Sequence, residues 1–272
     1  MSATPGKADK FRALHREFLI LPNAWDPGSA RLIESCGASA IATTSSGLGW
    51  SNGYPDGNAI PVAVLGRAVA AIARAIAVPL SVDIEGGYAD APDTVGKNVA
   101  VILDNGGVGI NLEDGNDPPD LMLRKIAAAR AAGQRAGVAL FINARTDVYL
   151  HALVPKERMI EESIARAARY GAAGCDGIFV PGAIEPDAIR AIAAAVAPLP
   201  FNAMMRPGLP AAETLKQLGV RRLSAGGGIA MAAISLTQRL AKSFLATGDS
   251  NELAAHIQGI TYPGLNALFR HG

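Results

Sequence analysis

The run Leu80-Ser81-Val82-Asp83-Ile84-Glu85-Gly86-Gly87-Tyr88 sets two acids at the end of a short apolar stretch and follows them with two glycines. Successive side chains of a strand alternate between faces, so a strand here turns Asp83 and Glu85 to one side and Ile84 to the other. Two adjacent carboxylates repel unless a proton or a cation separates them. A hard divalent ion such as magnesium accepts one or two carboxylates and keeps several waters, which suits the pair. Gly86-Gly87 marks an abrupt strand end where backbone can approach a ligand. An acidic turn without a ligand is the alternative that this motif alone leaves open.

Such groups need elements to hold them, and the chain supplies a regular alternation. Helical spacing over residues 7–17 reads as a surface helix leading into a first strand, Phe18 to Leu21. Further strands are expected at Ala38–Ala42, from Leu80, at Val108–Leu112, Ala139–Ile142, Gly177–Val180, Leu199–Ala203 and Arg222–Leu223. Helices are expected between them, near 27–35, 62–76, 92–105, 120–135, 156–170, 186–196 and 211–218, with a polar loop over 48–58. A long apolar helix over 229–247 and another from about Asn251 end the chain. Eight strand-and-helix pairs predict an α/β fold, the (β/α)8 TIM barrel, with an N-terminal helix and additional C-terminal helices. No composition break divides it, so 1–272 is expected to be a single barrel domain with 247–272 a C-terminal helical extension.

In such a barrel the chemistry sits just after the strands. Those ends carry Asp26, Ser45, Ser46, Asp83, Glu85, Asn111, Glu113, Asn143, Arg145 and Asp147. Acids can hold a metal while an arginine pairs bidentately with a substrate carboxylate. Arg145 could instead neutralise Glu113 or Asp147. All seven lysines fall in expected helices or the N-terminal segment, which disfavours a Schiff-base aldolase. His15, His151, His256 and His271 show no paired spacing, which disfavours a zinc hydrolase, and each reads as a surface histidine. Gly226-Gly227-Gly228 reads as a tight strand-to-helix turn rather than a phosphate cradle.

Composition narrows the partners. The 272 residues are 50% hydrophobic and 18% charged, with a net charge of +1 and no basic run, so neither nucleic acid nor an anionic membrane is an expected partner. Cys36 and Cys175 have no metal-ligand spacing and no disulfide framework, which favours a reducing compartment. No signal peptide or membrane span is visible, and a cytoplasmic location is expected.

Pro22-Asn23-Ala24-Trp25-Asp26, Thr43-Thr44-Ser45-Ser46-Gly47, Asp83-Ile84-Glu85-Gly86-Gly87-Tyr88, Asn111-Leu112-Glu113-Asp114 and Asn143-Ala144-Arg145-Thr146-Asp147 follow one another in this order. Together they resemble the isocitrate lyase and phosphoenolpyruvate mutase superfamily, over about residues 18–245. The resemblance implies a Mg2+-dependent barrel, with Mn2+ as a substitute, that makes or breaks a C–C or P–C bond beside a 2-oxo or 2-hydroxy carboxylate through an enolpyruvate-like intermediate. It implies Asp83 as direct metal ligand, with Asp56, Glu85 and Glu113 holding metal-bound waters. It implies Ser46, Gly47, Leu48, Asp83, Asn143 and Arg145 as substrate-binding residues, and Arg145, Glu113 and Asp56 as catalytic. It also implies a homo-oligomer, a dimer or tetramer with exchanged C-terminal helices.

Two departures matter. Glu85 stands where many members have aspartate. After Glu113, lyases of the superfamily carry a mobile Lys-Cys-Gly-His loop, and mutases a lysine and an asparagine. This chain has only Asp114-Gly115-Asn116-Asp117-Pro118-Pro119 before the next helix. Phosphoryl migration needs water excluded by a closing lid. The shortened loop therefore favours decarboxylation or C–C cleavage of a small 2-oxo acid. A phosphonopyruvate hydrolase or mutase-like P–C enzyme, and a 2-oxo acid-binding barrel without turnover, are the alternatives.

Overall fold

The computed structural model describes residues 5–270. Its sheet has nine parallel strands: β1 (Leu19–Leu21), β2 (Asn23–Ala24), β3 (Ile41–Thr43), β4 (Leu80–Asp83), β5 (Gly109–Glu113), β6 (Phe141–Arg145), β7 (Gly177–Phe179), β8 (Phe201–Met204) and β9 (Val220–Ser224). Their order is β1-β9-β8-β7-β6-β5-β4-β3-β2. β1 and β2 are one chain segment interrupted at Pro22, which has no N–H for a ladder. The segment pairs with β9 before the proline and with β3 after it, closing the sheet into the expected (β/α)8 barrel.

The barrel helices match their expected places within a few residues: α2 (Pro27–Ser35), α4 (Val62–Ala75), α5 (Pro92–Asp104), α6 (Pro119–Arg135), α7 (Met159–Ala172), α8 (Pro186–Val196) and α9 (Ala212–Gln217). Each buries one stripe against the strands, such as Val95, Val99, Ile102 and Leu103 of α5, the spacing that one helical face requires. Asp26, a strand-end candidate in the sequence, belongs to a capping box: it accepts from Ser29 N at 2.6 Å and starts α2.

Other elements differ from expectation. A short helix, α3 (Ser45–Ser51), forms where a strand end and a loop are expected. Gly47 and Gly49 are poor helix formers, but Leu48 is fully buried and its packing overrides that weak preference. The N-terminal helix α1 (Pro5–Leu14) lies on the surface as expected but also buries one face. Its Phe11 is fully buried, and a Cβ on Gly109 would lie 2.6 Å from the Phe11 ring. Phe11 meets Phe141 edge-on, and the buried His15 stacks on Phe141 at 4.0 Å. Gly109 and Phe141 open their strands, so α1 plugs the N-terminal mouth and leaves the other mouth for a site. The C-terminal segment forms α10 (Gly228–Thr247) and two short helices, α11 (Ser250–His256) and α12 (Tyr262–Leu268), rather than one continuous helix after Asn251.

The barrel interior is unusually polar. Such interiors are usually filled by branched apolar side chains. Here Asn111, Asn143, Asn202 and Arg222 are all buried there. Arg222 of β9 reaches Asn111 of β5, and Asn143 of β6 reaches Asn202 of β8. Neither pair belongs to neighbouring strands, so both contacts cross the interior.

Candidate active site

Strand register brings the motifs together. Asp83 pairs across the ladder with Asn111, Asn111 with Asn143, and Glu113 with Arg145. Parallel partners face the same side of the sheet, so acids and the arginine collect at the C-terminal mouth. Alternation breaks after Asp83. Glu85 has φ +49°, a left-handed conformation that turns it out of the strand path, and its carboxylate accepts from Asn58 N. Asp83 and Glu85 are therefore not successive residues on one strand face, contrary to the expectation from strand alternation.

Two pockets open at this mouth and share Ser45, Asp56 and Arg145 in their walls. The inner one, about 190 Å³, is lined by Asn23, Ser46, Asp83, Asn111, Ser224 and Gly227, among others. The outer one, about 650 Å³, takes in Glu85, Tyr88, Glu113, Asn116, Lys125 and His151. Of the four acids expected around a metal, Asp56 and Asp83 line the inner pocket, and Asp56, Glu85 and Glu113 the outer. Ser46 and Gly47 lie in the first turn of α3, whose amides have no intrahelical acceptor. Gly47 must be glycine, since a Cβ there would lie 2.9 Å from both Trp25 and Thr44 side-chain atoms.

Two expected substrate contacts lie elsewhere. Leu48 N donates to Thr44 O at 3.0 Å and its side chain is buried in the core. Asn143 sits a layer lower, donating to Asn111 and Asn202. Neither lines either pocket, because helix formation takes the amide of one and the interior network takes the side chain of the other. In the glycine run, Gly226 N donates to Asn23 Oδ1 at 2.9 Å and Gly228 N to Ala225 O at 3.1 Å, which makes it a closed turn.

Arg145 is held firmly. Its Nε and Nη2 grip the buried Asp147 bidentately at 2.6 and 3.1 Å, and Nη1 lies 2.6 Å from Glu113 Oε2. That last contact is off the N–H direction, so Glu113 Oε2 is buried beside a charge without a hydrogen-bond donor among the described residues. Asp147 is itself fixed: its amide donates to Asp114 Oδ1, and the fully buried Asp114 accepts from Arg166 and Tyr170.

Residues 11–245 match the model of the phosphoenolpyruvate phosphomutase family. The chain belongs to that family. An uncharacterised protein of Mycobacterium tuberculosis is 38% identical over 221 residues, covering 79% of this chain and 81% of that protein. A crystal structure from Burkholderia cenocepacia J2315, carrying a provisional phosphonomutase name, is 41% identical with a TM-score of 0.82 and covers 87% of this chain and 99% of that one. The oxaloacetate decarboxylase of Pseudomonas fluorescens is 29% identical over 246 residues, covering 83% of this chain and 82% of that enzyme.

Phosphoenolpyruvate phosphomutase relatives typically use a divalent metal, and the donor set suits one. Burial raises the Asp83 carboxyl above its ordinary range, against the pull of Arg145, and Asp56 and Asp147 add to the rise. Burial likewise raises Glu85 and Glu113, Glu113 in spite of Arg145. Acids thus outnumber cations at the mouth, and Glu113 Oε2 has no hydrogen-bond donor among the described residues. Among the described residues no three His, Cys, Asp or Glu side chains lie close enough to ligate one ion together.

Several residues of the mouth were not expected. Lys125, on α6, is buried with Nζ 2.9 Å from Gly86 O and 3.4 Å from Asp117. His151 lines the outer pocket and its Nδ1 meets Asn116 Oδ1 at 3.0 Å. The connection over residues 114–118 therefore has a lysine and a histidine beside it, contributed by neighbouring elements. Asn111, named as a strand-end residue, is a pocket residue by its contacts.

Proposed function

We propose that the protein is a divalent-metal-dependent lyase or decarboxylase that cleaves a C–C bond in a small 2-oxo or 2-hydroxy carboxylate, with Mg2+ as the ion and Mn2+ as its substitute. The observation that carries this reading is the inner pocket, where Asp83 and Asp56 face Arg145 across a space about the size of a small carboxylate. Asp83 would hold the ion directly, with Asp56, Glu85 and Glu113 on its waters. When bound, the ion supplies Lewis acidity at the 2-oxo oxygen and stabilises negative charge left by bond cleavage. Ser46 and Gly47 amides orient the carboxylate, and Arg145, braced by Asp147, fixes its far side.

The connection from β5 to α6 supports carbon–carbon chemistry. Only residues 114–118 join the two elements, so the outer pocket stays open to solvent, which can protonate the enolate carbon left after the other fragment departs. Similarity to an oxaloacetate decarboxylase over most of both chains supports the same direction. The provisional phosphonomutase name of the 41% identical structure favours a P–C enzyme as the second reading. Incubating the protein and Mg2+ with oxaloacetate, substituted malates and phosphonopyruvate separates them. Pyruvate or another 2-oxo acid should be released from a carbon substrate and abolished by a chelator. Phosphate release from phosphonopyruvate alone supports the second, and binding of oxalate without any turnover supports a barrel that has lost catalysis.

The surface supports a homo-oligomer. Barrel strands are normally covered outside by helices. Ile20 of β1 is 58% exposed instead, in a groove of about 740 Å³ lined by Leu14, Phe18, Ile33 and Ile229. α10 buries only Ala230 and exposes Met231, Ile234, Phe244 and Leu245. A helix from a second copy would cover both faces.

A further inference from the structure

Below the inner pocket runs a chain of amides whose polarity is fixed at both ends. At one end Asn202 Nδ2 lies 2.6 Å from Ala203 O and 3.1 Å from Ser224 Oγ. A main-chain carbonyl only accepts, so Nδ2 is the donor there and Asn202 Oδ1 faces Asn143. Asn143 Nδ2 donates to Asn202 Oδ1 at 3.1 Å and to Asn111 Oδ1 at 2.9 Å. At the other end Arg222 Nη2 donates to the same Asn111 Oδ1 at 3.0 Å, and a guanidinium only donates. Two independent donors therefore converge on Asn111 Oδ1, and Asn111 Nδ2 must point the other way. Asn111 lines the inner pocket, and its Nδ2 has no acceptor among the described residues.

Arg222 adds charge beneath this amide. It is fully buried, and its Nε and Nη1 find no partner among the described residues. Burial pushes its pKa down to about 9, with Asp83 pulling it back up. A guanidinium short of hydrogen bonds in an interior weakens the fold. Such a group is explained when its charge serves the site above it.

We propose that Asn111 contacts the substrate, its Nδ2 donating to an anionic oxygen of the 2-oxo acid in the inner pocket, and that Arg222 is the positioning residue that aims this amide and polarises it. The inference rests on the reading of the pocket as a 2-oxo acid site and names a recognition group within it.

Calorimetric titration of oxalate into the Mg2+-loaded protein tests it, with melting temperature measured in parallel. Asn111→Asp keeps the acceptor for Arg222 and Asn143 but replaces the pocket-facing donor by a carboxylate oxygen. Asn111→Ser withdraws the donor without adding charge. Both should weaken oxalate about 10- to 100-fold, the size expected for a hydrogen bond to a charged group. Asn111→Asp should melt no lower than wild type, since Arg222 gains a counter-ion. Arg222→Met should also melt no lower, because an unsatisfied cation is removed, yet bind oxalate more weakly, and Arg222→Lys should recover part of the loss. Wild-type binding with both Asn111 variants within about threefold of it would overturn this inference alone. If Arg222→Met melts lower while binding oxalate normally, Arg222 is only a structural strut and its assigned role falls. Wild-type protein that takes up no oxalate would overturn the functional reading and this inference together.

Discussion

At the scale of single residues, the site is a hierarchy of carboxylates with different tasks. Asp83, Glu85 and Glu113 are raised by burial and crowding and face the pockets. Asp114 and Asp147 are fully buried and saturated with donors, and they set where Arg145 lies. Replacing Asp114 by alanine would strand the Arg166 guanidinium, the Tyr170 hydroxyl and the Asp147 amide at once. Removing one partner of a buried ion pair costs about 3–5 kcal/mol, so urea unfolding of Asp114→Ala should show a loss of that size. A loss below about 1 kcal/mol would place Asp114 outside the brace. Asp83, Glu85, Glu113 and Arg145 were legible because they follow apolar runs in order, whereas Asp56, in the loop over 48–58, was legible only through the family resemblance. The brace was only half legible: Asp114 and Asp147 stand beside Glu113 and Arg145, but nothing in spacing tells a carboxylate that faces a ligand from one that faces Arg166.

At the scale of elements, the barrel repeats its sequence pattern closely because strands and helices each carry an unambiguous apolar period. Where it departs, tertiary packing outweighs local preference. α3 forms over two glycines because Leu48 is drawn into the core, and that moves the Leu48 amide out of the substrate set. α1 carries charges enough to read as a surface helix, yet Phe11 and His15 face inward and close the lower mouth. Lys125 and His151 reach the outer pocket from a helix and from the loop after β6, positions that no strand-end rule singles out. Burial pushes His15 down to about 3, and its Nδ1 meets Phe11 O at 2.8 Å. The unfolded chain takes up a proton at this residue near pH 6.5, whereas the folded chain refuses it until about pH 3. Folding stability should thus be unaffected by His15 above pH 6.5 and should fall as pH drops from 6.5 toward 3, by up to about 1.4 kcal/mol per pH unit. Chemical denaturation across that range should show a shallower slope for His15→Phe, and an identical slope would contradict a neutral, buried His15.

At the scale of the whole molecule, β1 exposes an apolar face and α10 carries an apolar face with little of its own chain against it. No described helix is long and apolar enough to cross a membrane. Sedimentation velocity should show an oligomer, and Ile234→Asp with Phe244→Asp should shift it to monomer while circular dichroism stays unchanged. A wild-type monomer at micromolar concentration would contradict the exchange of helices. At the mouth itself, the proposed function has Asp83 and Arg145 hold a divalent ion and a 2-oxo acid side by side. Its most direct test is the calorimetric affinity for oxalate with Mg2+ and with a chelator, in wild type and in Asp83→Ala. Tight binding by wild type only when Mg2+ is present, lost in Asp83→Ala, is the predicted result. Equal oxalate affinity with and without Mg2+, or an Asp83→Ala protein that binds as wild type does, would contradict it.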